Sequence, residues 1–232
     1  MRIPLYIEFS GKDVLIIGGG GVGTSRAKKF VEAGANVKVL SLEFSDELKK
    51  LANEGKVSLI KGDVFNEKNL EKLIAESNLV VVAIPDHRIN DIIEKIAKKY
   101  KTLINLANDA ERTEVVVPFE GEVDGIRFAV TTEGKSGIVA RKVKDLFLKV
   151  LKEDEEIIPF LKAMEHLKKF MKSSNVPIQM RMKLYFIISS DPEFRELIKK
   201  GEVDKARSLA ERLVYEYISG KRKIDKDVGL QF

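Results

Sequence analysis

Val14-Leu15-Ile16-Ile17-Gly18-Gly19-Gly20-Gly21-Val22-Gly23 decides how this chain is read. Its four leading apolar residues predict a short strand buried on both faces. Gly18, Gly20 and Gly23 follow in G-x-G-x-x-G register, and Thr24 to Ala33 carries helical spacing through Ala27, Phe30 and Val31. A strand, a glycine turn and a helix start together are the context in which this motif points to a bound dinucleotide. Gly18 serves the tight turn, Gly20 lets a pyrophosphate approach the backbone, and Gly23 lets helix and strand pack closely. The anion would face free N–H groups at the positive helix end. Gly34 closes the helix, and Ala35 to Leu40 predicts the second strand of a β-α-β unit.

The alternation continues downstream. Ser45 caps a helix over Asp46 to Ala52, Val57 to Ile60 reads as a strand, and Asn66 opens a helix through Ala75. Leu79 to Ile84 is a strand closed by Pro85-Asp86, Asn90 to Lys99 a helix, and Thr102 to Leu106 the next strand. Upstream, Met1 to Phe9 reads as an edge strand or an extended lead-in. This order implies a Rossmann-like, doubly wound parallel sheet whose ligand crevice lies beyond the carboxyl ends of its strands. Gly18–Gly23, Ser41–Phe44, Ala83–Arg88 and Asn105–Arg112 are then expected to converge on one site.

The pattern changes after residue 113. Glu114 to Pro118 and Ile126 to Thr132 are β-rich runs around a turn at Glu120–Gly125, and a helix is expected from Ile138 to Glu153. The remainder reads helical: Glu155 to Ser173, Ile178 to Ser189 behind Pro177, a helix capped by Asp191-Pro192, and Asp204 to Ser219. A basic, frayed tail is expected from Gly220 onward. The expected division is 1–113 for the nucleotide domain, 114–150 for a small β-rich segment, and 151–232 for a C-terminal helical domain.

Composition narrows the function classes. The 232 residues include 41 basic and 36 acidic ones, a net charge of +5, and 44% are hydrophobic. There is no cysteine, which excludes disulfides, thiolate metal sites and cysteine nucleophiles, and makes a reducing cytoplasm the expected location. No apolar run approaches the ~20 residues of a membrane span. No basic stripe interleaved with aromatics suggests nucleic acid, whereas an acidic small molecule suits the charge. No cluster has metal-ligand spacing.

Near the crevice, Glu43 is the acid closest to where an NAD ribose would be held, two residues past the ideal place. No arginine lies nearby to hold a 2′-phosphate, so NAD is expected over NADP. The expected cofactor contacts are Gly18, Gly20, Gly21, Val22 and Gly23, then Ser41 and Glu43, then Ala83 and Asp86. Of the two histidines, His87 follows the fourth strand on the crevice side, where it could approach a ligand, although loop histidines more often face solvent, and His166 reads as structural. The loop Asn105-Leu106-Ala107-Asn108-Asp109-Ala110-Glu111-Arg112 offers Asp109 as an acid or base, although it is also a good turn sequence.

An ordered set of residues resembles the precorrin-2 dehydrogenase / sirohydrochlorin ferrochelatase family, the NAD-dependent module of siroheme synthase. It comprises Pro4-Leu5-Tyr6-Ile7, Gly11-Lys12-Asp13-Val14, Gly18-Gly19-Gly20, Lys28, Glu32-Ala33-Gly34-Ala35, Ala83, Asp86, Asn90, Asn105, Pro118 and Thr132 to Arg141. The resemblance implies NAD-dependent oxidation of precorrin-2 to sirohydrochlorin, followed in some members by iron insertion. It implies a homodimer paired through Glu114 to Val150. The family's proposed catalytic aspartate, three residues after the strand asparagine, falls on Asn108, with Asp109 beside it. That departure weighs most against metal insertion. Gly137 stands where the family usually has proline, and Ser136 matches its substrate-pocket serine. Arg112, Lys135, Arg141 and Lys142 lie on or beside the implied pocket for this polycarboxylated tetrapyrrole, where arginine suits bidentate carboxylate contacts. The competing reading is an NAD-sensing regulatory domain without turnover, which would carry an acid where this chain has Ser41. A third is a relic that keeps the fold while Asn108 has removed the chemistry.

Overall fold

The computed structural model describes residues 2–223, and the chain divides into two compact units. The first holds the residues up to Phe119 together with Val130–Arg141, and the second holds Glu120–Ala129 and the described residues from Lys142 on. The segment 114–150 is thus shared between the units.

The first unit is a five-stranded parallel sheet of order β3-β2-β1-β4-β5. Its strands are β1 (Asp13–Ile17), β2 (Asn36–Ser41), β3 (Val57–Lys61), β4 (Leu79–Val82) and β5 (Leu103–Leu106). The helices between them are α1 (Gly21–Glu32), α2 (Asp46–Asn53), α3 (Glu67–Ala75) and α4 (Arg88–Tyr100). β1 is central because its residues Val14 to Ile17 are buried on both faces, between parallel neighbours β2 and β4. Leu15, Ile17, Val80, Val82 and Leu106 pack against α3 and α4 through Leu70, Ile74, Ile89 and Ile93. Val14, Ile16, Val39 and Val81 pack on the other face with Ala27, Phe30 and Leu48 of α1 and α2. That two-sided burial is the physical meaning of the unbroken apolar runs. The register pairs Ile17 with Leu40 and Val82, and Val82 with Leu106, so the strands end level with one another. The winding direction reverses between β1 and β4, which sets the crevice at their carboxyl ends.

Several boundaries differ from the sequence expectation. β4 stops at Val82 rather than Ile84, because Ile84 belongs to the turn that meets the glycine loop. α1 begins at Gly21, before Thr24, so the last glycines are its first turn. Residues 2–9 form no strand. Glu114 to Pro118 is not a strand either; it runs along the outer edge of β5 and satisfies it largely with side chains. Ile104 N donates to Glu114 Oε2 (3.2 Å), Leu106 N to Thr113 Oγ1 (2.9 Å), and Val115 N to the Ile104 carbonyl (2.9 Å).

The second unit carries the pair β6 (Phe119–Val123) and β7 (Ile126–Val130), whose end residues fall in the first unit. The turn is shorter than expected, only Asp124-Gly125, with φ of 47° and 88°, the backbone of a tight two-residue hairpin. α5 (Gly137–Glu153) begins in the first unit and continues into the second, where Phe128 of β7 meets Phe147 of α5 edge to face at 5.7 Å. α6 (Ile157–Ser173), α7 (Ile178–Ser189), α8 (Pro192–Lys199) and α9 (Val203–Ile218) enclose a core built on Leu167, Met171, Leu184, Ile188, Phe194 and Leu213. Asp191 caps α8, accepting from Phe194 N at 3.0 Å, with Pro192 in the first turn. The expected basic tail lies, from residue 224 on, outside the described residues.

Candidate active site

The glycine turn is a cradle built by close approach. Gly18 has φ +114°, and a Cβ there would sit 2.8 Å from the Ala83 carbonyl oxygen and from Ile84 Cγ2. A Cβ at Gly23 would sit 1.9 Å from the Gly18 oxygen, and one at Gly19 would sit 2.1 Å from the Glu43 oxygen. Gly20 and Gly21, in contrast, face open space at the start of α1. Gly18 and Gly19 bring the turn against the β4 and β2 loops, Gly23 lets α1 close on the turn itself, and the two open glycines leave room at a positive helix end. These residues fit a dinucleotide pyrophosphate. Val22, at 52% exposure, borders the same opening.

The β2 side is tied to this turn by a short relay. Ser45 N donates to the Gly19 carbonyl (3.0 Å), and Ser45 Oγ accepts from Leu48 N (3.2 Å), capping α2. Buried Thr24 donates its hydroxyl to the Gly20 carbonyl (2.8 Å) and lies 2.8 Å from Ser45 Oγ. With the Thr24 proton directed to Gly20, Ser45 is the donor in that last contact. Ser41 ends β2, and Glu43 follows with an exposed side chain and a backbone carbonyl pressed against Gly19. Gly19 and Thr24 were not distinguished as site residues by their motif. Five glycines where the motif needs three are the sequence signal for Gly19.

On the β4 side, Ala83 N donates to the Ile17 carbonyl (2.8 Å), which holds Ala83 beside the turn. Asp86 binds Arg88 in bidentate fashion and accepts from Arg88 N at 3.0 Å. The Arg88 side-chain and backbone contacts hold its carboxyl down at about 2. Arg88 also lies over the Phe65 ring, 5.4 Å from its centroid. Asp86 therefore organises the start of α4, and a cofactor contact there competes with an existing ion pair. His87 is exposed at the start of α4 with no capping bond.

Asn108 makes a reciprocal amide pair with fully buried Asn90. Each Nδ2 lies 3.2 Å from the other Oδ1, and Asn108 Nδ2 also donates to the Ile84 carbonyl at 3.0 Å. The residue at the family's aspartate position is thus a neutral tie between the β4 and β5 loops. Asp109 beside it accepts from Glu111 N and Arg112 N through Oδ1, both at 3.2 Å, and the described hydrogen bonds leave Oδ2 unused. Asn105 points its Nδ2 to the Val115 carbonyl (2.6 Å), and its buried Oδ1 has no partner among the described residues.

Arg112 is engaged by α4. Its guanidinium grips both carboxylate oxygens of Glu94, at 2.9 and 2.8 Å, and Asp91 as well, which raises its already high pKa. The reason is local: α4 presents those acids at three-residue spacing directly across from the loop. Ser136 caps α5, its Oγ accepting from Val139 N at 3.3 Å, and exchanges two hydrogen bonds with Thr132. Lys135 and Arg141 flank that helix start, exposed and without a carboxylate partner among the described residues. The Thr131–Ser136 loop reaches the Asp109 loop directly: a Cβ on Gly134 would lie 2.2 Å from Ala110 Cβ. Arg2, which no sequence signal marks, bonds to both loops.

Other features lie apart from this cluster. His166 sits 2.6 Å from Glu211 inside the second unit, as a structural pair. A cavity of about 610 Å³ beside Phe160 and Arg195 lies in the second unit, and one of about 600 Å³ along β5 is lined by Leu103, Lys98, Glu94 and Arg112; neither includes a glycine-turn residue. Among the described residues no group of three or more His, Asp or Glu is placed to hold a metal, and no helix is long and apolar enough to cross a membrane.

Comparison with known proteins adds to this geometry. A family model of NAD(P)-binding domains matches residues 5–119. A protein of Methanocaldococcus jannaschii assigned as precorrin-2 dehydrogenase is 31% identical over 201 residues, covering 85% of this chain and 95% of that one. The chain belongs to the precorrin-2 dehydrogenase family. Siroheme synthase 2 of Yersinia enterocolitica is 28% identical over 142 residues, and the siroheme synthase of Actinobacillus pleuropneumoniae 23% over 213. The matches cover 61% and 90% of this chain but only 29% and 42% of those longer proteins. A solved precorrin-2 dehydrogenase, SirC, shares the fold with a TM-score of 0.68 at 21% identity, over 91% of this chain and all of that one. The Rossmann-like sheet, small β pair and C-terminal helices thus recur within the family, and the site accommodates a nicotinamide cofactor.

Proposed function

We propose that this chain oxidises precorrin-2 to sirohydrochlorin with NAD as the oxidant. The observation that carries the reading is the union, in one family member, of an open glycine cradle after β1 with a carboxylate, Asp109, in the loop after β5, two strands away at the same edge of the sheet. When bound, the nicotinamide supplies the hydride acceptor. The substrate loses a hydride and a proton, and Asp109 Oδ2 is the group assigned to take the proton. Its turn, closed by the Glu111 and Arg112 amides, holds that carboxylate in place. Asn108 supports it by locking the loop to Asn90 and Ile84, and its amide cannot take up a proton as a carboxylate can. Metal insertion is left out of the proposal because position 108 carries an amide.

NAD rather than NADP follows from Glu43 after β2, where a carboxylate favours ribose hydroxyls and disfavours a 2′-phosphate. Ser136, Lys135 and Arg141 at the start of α5 are assigned to substrate carboxylates. Arg112 is withdrawn from that set by its grip on Glu94 and Asp91. Residues 1–113 would hold the cofactor, 114–150 pair with a second copy, and 151–232 form the helical domain. Leu146, Phe147 and Val150 on α5, each about half exposed, are the apolar residues available to that pairing. The function test is NADH absorbance after mixing precorrin-2 and NAD anaerobically. Turnover supports the enzyme; nucleotide binding with none would replace it with a sensing module.

A further inference from the structure

Arg2 makes more contacts at this site than any catalytic argument so far requires. Its Nη2 donates to the Ala110, Glu111 and Thr113 carbonyls at 2.9, 3.2 and 2.7 Å. Its Nε also reaches the Thr113 carbonyl at 3.0 Å, and its Nη1 meets Glu133 Oε2 at 3.4 Å. The three carbonyls belong to the turn that Asp109 opens, and Glu133 belongs to the loop that ends in Ser136. The loops touch where Gly134 meets Ala110. Residues 2–9 form no helix or strand, so regular structure does not account for where Arg2 lies.

We propose that Arg2 is a positioning residue for the dehydrogenation: its guanidinium clasps the Ala110–Thr113 turn to the Thr131–Ser136 loop and so fixes Asp109 relative to Ser136. Planar fork geometry suits this work. Adjacent donors reach several carbonyls of one turn while a third nitrogen faces a carboxylate, an arrangement a lysine ammonium cannot reproduce. The turn would otherwise leave three carbonyls with no cation to converge on. A proton acceptor and a substrate anchor on two separate loops lose alignment when the loops drift, and a misplacement of about 1 Å can cost on the order of a hundredfold in rate. Arg2 touches neither the glycine turn nor β2, so cofactor binding is independent of the clasp.

This inference rests on the precorrin-2 reading, and the test separates the two. Wild type, Arg2→Ala, Arg2→Lys and Glu133→Gln are compared by steady-state turnover of precorrin-2, NAD Kd, Tm and hydrogen–deuterium exchange. In Arg2→Ala, kcat is expected to fall tenfold or more, with NAD Kd within twofold and Tm nearly unchanged. Exchange should quicken at both 109–113 and 132–136. Arg2→Lys should recover less than half of the lost rate, and Glu133→Gln, which keeps the carbonyl bonds, should fall only a few fold. Faster exchange at one loop alone, or at neither, would overturn the clasp, and so would an unchanged kcat. Should Arg2→Ala fail to fold, Arg2→Lys decides: an unchanged kcat, or exchange faster at one loop alone or at neither, overturns the clasp. A wild type that does not turn over precorrin-2 would remove the dehydrogenase reading, while the exchange result still judges whether Arg2 holds the two loops.

Discussion

The two halves of the crevice are made differently. Around the glycine turn, position is set by backbone against backbone: Gly18, Gly19 and Gly23 stand where a single carbon would collide with a carbonyl oxygen. Around Asp109, position is set by side chains: the Asn90–Asn108 amide pair, the Arg112 grip on α4, and Arg2 across two loops. The first half holds a cofactor by leaving atoms out. The second aims a carboxylate by placing polar groups, each of which can be replaced with little change in backbone volume. Substitutions in the two halves should therefore fail in different ways.

The largest effect is expected at Asp109→Ala, which should lower kcat by about 10²–10⁴-fold, the range for loss of a general base. NAD Kd should be unchanged, and a mutant with wild-type turnover would end the role given to Asp109. Gly23→Ala should act in the opposite half. The added carbon overlaps the Gly18 carbonyl, so NAD binding measured by calorimetry should disappear and stability drop by roughly 1–3 kcal/mol. Asn108→Asp tests whether the family's usual residue is still tolerated. A carboxylate there loses the donor to the Ile84 carbonyl and to Asn90, costing about 1–3 kcal/mol in urea unfolding at neutral pH. Turnover raised by that substitution would mean that position 108, not 109, is where the proton goes. Glu43→Ala should weaken NAD roughly two- to tenfold, as for one hydrogen bond, and narrow the preference over NADP.

The smallest effect concerns acid. Arg88 lowers the Asp86 carboxyl from 3.8 to about 2, so the stabilisation is whole above 3.8 and is lost as pH falls through about 2. Asp86→Asn should be slightly less stable than wild type at neutral pH, and the two acid-unfolding curves should converge below pH 2.

Much of the backbone-built half is legible in the sequence, because apolar runs and glycine spacing are local signals. Val14 to Gly23 fixed the strand, the turn and the helix, and Ser45 and Asn66 marked helix starts that are capped as expected. The side-chain half is less legible. Nothing near Asn90 in the chain says that its amide meets one eighteen residues later. Arg112 looks like a ligand for an acidic substrate until α4 sets Asp91 and Glu94 opposite it. Arg2 lies more than a hundred residues from every group it touches. Glu114 to Pro118 misled for a related reason: its β-rich composition reflects contact with β5, but most of that contact runs through Glu114 and Thr113 side chains.

That arrangement along β5 has a consequence for the protein in crowded solution. Bare strand edges recruit other strands, and this is a common first step toward insoluble assemblies. Here Glu114, Thr113, Val115 and the Asp109 amide occupy the outward-facing groups of Ile104 and Leu106, so an incoming chain finds no free ladder to extend. The last strand of the sheet is sealed by its own downstream loop, and growth of the sheet ends there.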